Sequence, residues 1–218
     1  QVSFPLLSKL YIQEHWAEMK RVVNTLFLSI SYATALAFVF TFFFSELIVK
    51  VLFGIKFLPA AGVTPWYSLS IGLLSILIML GNMMITFEYK KTYLYYLLGT
   101  LIIYLALFVV LFNKTGMYTP PIALTAVAAI SIILFVLLIN RSYHRVFDIN
   151  NLLKNTGWLI VMSACALLLN HYLSTVINQL FSGILIFSAF ALISYFSIRQ
   201  VREAVQHSAA ILMGRNVR

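Results

Sequence analysis

From Thr64 to Phe87 the chain carries no charged residue; Glu88 is the first, and Lys90-Lys91 closes the stretch. A helix over this run is ~36 Å long at ~1.5 Å per residue, enough to cross a hydrocarbon core of ~30 Å with some tilt. The run is not uniformly apolar. Ser68, Gly72, Ser75, Met79, Asn82 and Thr86 fall at i, i+4, i+7, i+11, i+14 and i+18, which is one face of a helix. Such a face serves either close packing against neighbouring helices or the lining of a hydrophilic cavity. Asn82 favours the cavity, because an amide in lipid must find partners.

The rest of the chain has the same character. Of 218 residues, 62% are hydrophobic and 10% charged, and the mean hydropathy is +0.96. A soluble domain carries roughly a quarter charged residues, so this chain has too little polar surface to cover a globule in water. It reads as an all-α, polytopic integral membrane protein. The net charge of +9 would point to nucleic acid in a soluble protein. Here the basic residues lie between apolar runs, where they set orientation, and no aromatic-interleaved basic patch accompanies them. The single cysteine, Cys165, sits in an apolar run and cannot form an intrachain disulfide.

Six spans are expected: about Val22–Phe44, Thr64–Phe87, Tyr93–Phe112, Tyr118–Ile139, Thr156–Leu173 and Gln179–Ile198. Residues 1–21 form an amphipathic lead-in whose Trp16 suits a water–headgroup boundary. The Glu46–Val63 loop holds Lys50, Lys56, Pro59 and Gly62, which would interrupt a span. Glu88–Thr92 is short enough to make the second and third spans antiparallel neighbours. Pro120-Pro121 suits the first turn of the fourth span, where the missing N–H has no intrahelical partner. Asn140–Asn155 is a long polar connection, and residues 199–218 form a basic tail.

Sorting the fifteen Lys and Arg by connection gives an uneven partition. Lys9, Lys20, Arg21, Lys90, Lys91, Arg141, Arg145, Lys154, Arg199, Arg202, Arg215 and Arg218 fall on one side, and Lys50, Lys56 and Lys114 on the other. Positive residues favour the cytoplasm, so both termini are expected there.

No catalytic constellation is apparent in the sequence. Glu14, Glu18, Glu46, Glu88, Asp148 and Glu203 lie near or between span ends and form no pair inside a span. His15, His144, His171 and His207 have no ligand spacing. There is no Gly-rich phosphate loop and no nucleophile elbow. The expectation is a protein that is not an enzyme and needs no metal or cofactor. The cavity-lining candidates are Asn24, Ser68, Ser75, Asn82, Thr86 and Glu88. Glu88 is either a headgroup-level partner of Lys90 or Lys91 or a protonatable group of a coupled transporter. Lys9, Lys20, Arg21, Lys90 and Lys91 either serve topology alone or also draw in an anionic lipid pyrophosphate.

Two short elements carry a resemblance. Phe4-Pro5-Leu6-Leu7-Ser8-Lys9 matches an F-P-x-x-S-[KR] pattern. Leu52, Phe53, Gly54, Phe57 and Ala60 match L-F-G-x-x-[FY]-x-x-A. In this order, around one span, they resemble the C-terminal half of polysaccharide flippases, the O-antigen type of the multidrug/oligosaccharidyl-lipid/polysaccharide exporter superfamily. The resemblance covers roughly the first ninety residues, the remainder agreeing in span number. It implies a two-lobe, alternating-access transporter in a bacterial inner membrane, whose N-terminal lobe would precede Gln1. Its cargo would be an undecaprenyl-pyrophosphate-linked oligosaccharide, moved to the outer leaflet for cell-surface polysaccharide synthesis. A drug or metabolite exporter of the same superfamily and a non-transporting membrane scaffold subunit are the other readings.

Overall fold

A computed structural model describes residues 3–142, 146–173 and 179–197. The tail cations Arg199, Arg202, Arg215 and Arg218, together with His144, Arg145, Glu203 and His207, lie outside the described residues. Seven α-helices follow in order: α1 (Ser3–Ile12), α2 (Trp16–Leu52), α3 (Thr64–Thr86), α4 (Lys90–Thr115), α5 (Thr119–Ser142), α6 (Ile149–Leu173) and α7 (Gln179–Ser197). Two 3-10 segments, Ile55–Val63 and Gly116–Tyr118, join α2 to α3 and α4 to α5. Among the described residues there is no strand. Four helical stretches are long and apolar enough to cross a membrane: Trp16–Leu52, Ile55–Thr86, Lys90–Ser142 and Ile149–Leu168. The chain is thus an all-helical protein of membrane character.

Helix ends differ from the sequence expectation in ways that have physical causes. α2 absorbs the end of the lead-in and the first residues of the expected Glu46–Val63 loop. At 37 residues it is ~55 Å long. Lys50 does not interrupt it, because a cation in the last turn complements the helix dipole and its stem can lie along apolar surface. The stop comes at Gly54, at φ 89° and ψ 171°, a region only glycine enters readily. Its N–H bonds Lys50 O at 3.1 Å, and the Phe53 and Phe57 rings meet across it at 6.2 Å. The long polar connection shrinks likewise: α5 runs through Ser142 and α6 begins at Ile149.

The chain divides into two compact units, residues 1–24 with 66–148, and residues 25–65 with 149–218. In the first unit α4 and α5 pack together as an antiparallel hairpin, with Tyr96 and Phe135 rings 4.2 Å apart. α3 buries Ile76, Leu80, Met83, Met84 and Phe87, positions recurring at three- and four-residue intervals on one face. At Gly81 the Tyr93 side chain of α4 lies against it: a Cβ there would stand 2.5 Å from the Tyr93 hydroxyl. Ser70 is fully buried. Its Oγ lies 2.8 Å from Trp66 O and 2.9 Å from both Pro121 O and Thr125 Oγ1, so a hydroxyl joins α3 to the first turn of α5.

The second unit has its own core, formed by Val39, Phe43 and Phe44 of α2, Ala166 of α6, and Ile186 and Phe190 of α7. The aromatic end of the first expected span therefore supplies interior packing. Tyr32 donates to Ala191 O at 3.0 Å, satisfying a phenol within an apolar interface.

Gly81→Leu is expected to destabilise the protein by ~1–3 kcal/mol through overpacking against Tyr93. Gly81→Leu combined with Tyr93→Ala should recover part of that loss. Detergent thermal unfolding of the four members of this double-mutant cycle measures the coupling.

Candidate functional site at the basic ends of the helices

α1 and α3 end in the same way. Glu14 and Glu88 both adopt left-handed backbone, at φ 54° and 65°. The next residue's N–H reaches back to close each helix, His15 to Leu10 O at 3.0 Å and Tyr89 to Met84 O at 2.9 Å. The N–H groups of Glu14 and Glu88 bond Tyr11 O and Ile85 O, each at 3.1 Å. This pairing is a Schellman stop, which satisfies carbonyls the helix end would otherwise orphan. The two turns meet through aromatic rings: Tyr11 lies 5.2 Å from Phe87 and 5.8 Å from Trp16.

A third connection is tied to the same unit by two asparagines. Asn24 Nδ2 donates to Val146 O at 3.0 Å and to Lys20 O at 2.6 Å, while its Oδ1 accepts from Asp148 N at 3.1 Å. Asn140 Nδ2 donates to Phe147 O at 2.9 Å, and its Oδ1 accepts from Phe147 N at 2.7 Å. Val146 and Phe147 are themselves buried. Non-helical backbone drawn into an apolar interior needs such partners. Asn24, expected as a cavity-lining residue, is thus spent on this clasp. Asn140 was read only as part of a polar connection, and nothing in its local sequence signals the pairing.

Around these turns Lys9, Lys20, Arg21, Lys90 and Lys91 are all exposed. Glu88 is exposed in the α3–α4 turn, and among the described residues no ion pair joins it to either lysine. Among the described residues His15 Nδ1 lies 3.8 Å from Glu18 Oε2, an ion pair only when the imidazole carries its second proton.

The Ser68–Thr86 stripe lies beside the buried face of α3. Met79 is buried, Ser68, Gly72, Asn82 and Thr86 are half-buried, and Ser75 is exposed. Ser75 donates to Ile71 O at 3.0 Å and Thr86 to Asn82 O at 2.9 Å. Both hydroxyls are satisfied within their own helix, so neither needs a wet cavity. Ser70, outside the stripe, makes the interhelical contact.

A groove of about 380 Å³ runs between α4 and α5, lined by Tyr96, Gly99 and Ile103 on one side and Val127, Ser131 and Leu134 on the other. The Tyr96 hydroxyl is buried and, among the described residues, lacks a hydrogen-bond partner. Among those residues no group of three or more His, Cys, Asp or Glu could hold a metal. Neither a family model, nor a curated protein, nor a solved structure matches the chain.

Two substitutions separate the turn chemistry from the clasp. Glu88→Gly is expected to raise stability by ~0.5–1 kcal/mol, because glycine relieves a left-handed position. Asn24→Leu is expected to lower it by ~1–3 kcal/mol, since Val146 O and Asp148 N lose their partner. Ser70→Ala should cost only ~0.6 kcal/mol. Denaturant or thermal titration in detergent ranks the three.

Proposed function

We propose that the chain is part of a membrane transporter that flips an undecaprenyl-pyrophosphate-linked oligosaccharide from the cytoplasmic to the outer leaflet. In this reading the chain crosses a bacterial inner membrane six times, through the apolar parts of α2 to α7, with both termini cytoplasmic. The break at Gly116 separates α4 from α5, and their antiparallel packing favours counting two crossings there. The observation that carries the reading is the gathering of basic connections. The α1–α2 and α3–α4 turns meet through Tyr11 and Phe87, and exposed Lys9, Lys20, Arg21, Lys90 and Lys91 belong to the same unit. A pyrophosphate approaching that surface meets several cations and gains charge-assisted contacts. The Phe4–Lys9 and Leu52–Ala60 elements supply the particular class of cargo. They lie on α1 and at the Gly54 stop.

The test uses the intact natural polypeptide in proteoliposomes loaded with labelled lipid-linked oligosaccharide. Replacing Lys20, Arg21, Lys90 and Lys91 together by Gln should slow exposure of the sugar at the opposite leaflet by about tenfold or more, with insertion unchanged. Unchanged transport in that variant would remove these residues from the pathway. Absence of transport by the unmodified protein would remove the reading itself.

A further inference from the structure

The groove between α4 and α5 is built in a way the transport reading does not use. On α4, Tyr96, Gly99 and Ile103 recur at three- and four-residue steps, and on α5 Val127, Ser131 and Leu134 do the same, so two helix faces meet along a trough. Its α4 side, from Thr92 to Ile103, is ~17 Å long. At ~30 Å³ per water-sized group its volume holds roughly a dozen such groups. The trough is open over Gly99, where an added Cβ meets nothing within 4 Å.

The trough ends at a positive boundary. Arg141 continues the α5 face at i+14 from Val127 and i+7 from Leu134, ~10 Å beyond the latter along the axis. In the antiparallel hairpin this places it at the same end as the start of α4, where Lys90 and Lys91 stand. All three cations are exposed, and against Glu88 of the adjoining turn and Asp148 of the connection after α5 they leave a positive excess. Tyr96, on the α4 wall of the trough toward that end, has a hydroxyl that is buried and without a partner among the described residues.

We propose that this trough is a binding site for one anionic bilayer phospholipid. One acyl chain lies between α4 and α5 over Gly99. The phosphate sits at Arg141 and Lys91, where a guanidinium and an ammonium give charge-assisted contacts. The glycerol ester carbonyls fall at the depth of Tyr96, five residues or ~7–8 Å along α4 from Lys91, and offer its hydroxyl an acceptor. The charge pattern selects an anionic head group, and a volume of about 380 Å³ suits a single acyl chain.

Native mass spectrometry of the full chain, released from detergent with phosphatidylglycerol or with phosphatidylcholine of the same chains, tests the site. The unmodified protein should retain phosphatidylglycerol about tenfold better. Gly99→Phe fills the trough and should reduce that retention about tenfold, whereas Gly99→Ala should leave it unchanged. The surface double variant R141Q/K91Q, which touches no buried contact, should erase the preference for the anionic head group. Equal retention of both lipids by the unmodified protein, or a preference surviving in R141Q/K91Q, overturns the proposal. A folded Gly99→Phe that binds phosphatidylglycerol normally does so as well.

Discussion

A peptide group inside hydrocarbon has no water to bond, so each N–H and C=O must find a partner within the protein. This one constraint explains most of what the chain does. It accounts for helices running up to their chemical limits, such as α2 continuing through Lys50 to the break at Gly54. It also explains the hydroxyls of Ser29, Ser31 and Thr34, which donate to carbonyls four residues back at 2.8 Å. At three described departures from the helix the backbone finds partners, in Schellman stops at Glu14 and Glu88 and in the asparagine clasp around residues 146–148.

The ends are therefore where the polar chemistry concentrates. Lysines and arginines tolerate the boundary because their stems stay on apolar surface while their charges reach water. In the first unit two turns meet through ring contacts and residues 146–148 are held by amide hydrogen bonds, with Lys9, Lys20, Arg21, Lys90 and Lys91 exposed around the two turns. The proposed cargo and the proposed resident lipid would both bring an anionic head group to that surface.

Much of this was legible in the sequence. The uncharged run ending at Phe87 marks α3 to within a residue, and Pro120-Pro121 marks the start of α5. The presence of long apolar helices follows from hydropathy, which is a sum over many residues and survives local detail. The roles of single polar residues were less visible. Asn24 and Asn140 look alike in composition to surface polar residues, and their clasp depends on backbone more than a hundred positions away in the case of Asn24. Periodicity singled out Ser75, whose hydroxyl bonds its own helix. It passed over Ser70, because only the neighbouring helix decides which face of α3 is buried. Glu88 stands out in the sequence as the first charge after the long uncharged run, whereas its backbone, at φ 65°, shows a turn position that glycine would fill with less strain.

Compartment-specific labelling tests the central claim, that the basic connections share one side of a bilayer crossed six times. With Cys165 replaced by Ser, single cysteines at Lys56 and Lys90 are exposed in intact cells to a membrane-impermeant maleimide. Six crossings predict labelling of the Lys56 position from outside and protection of the Lys90 position until the cells are opened. Labelling of both positions from the same side would contradict it.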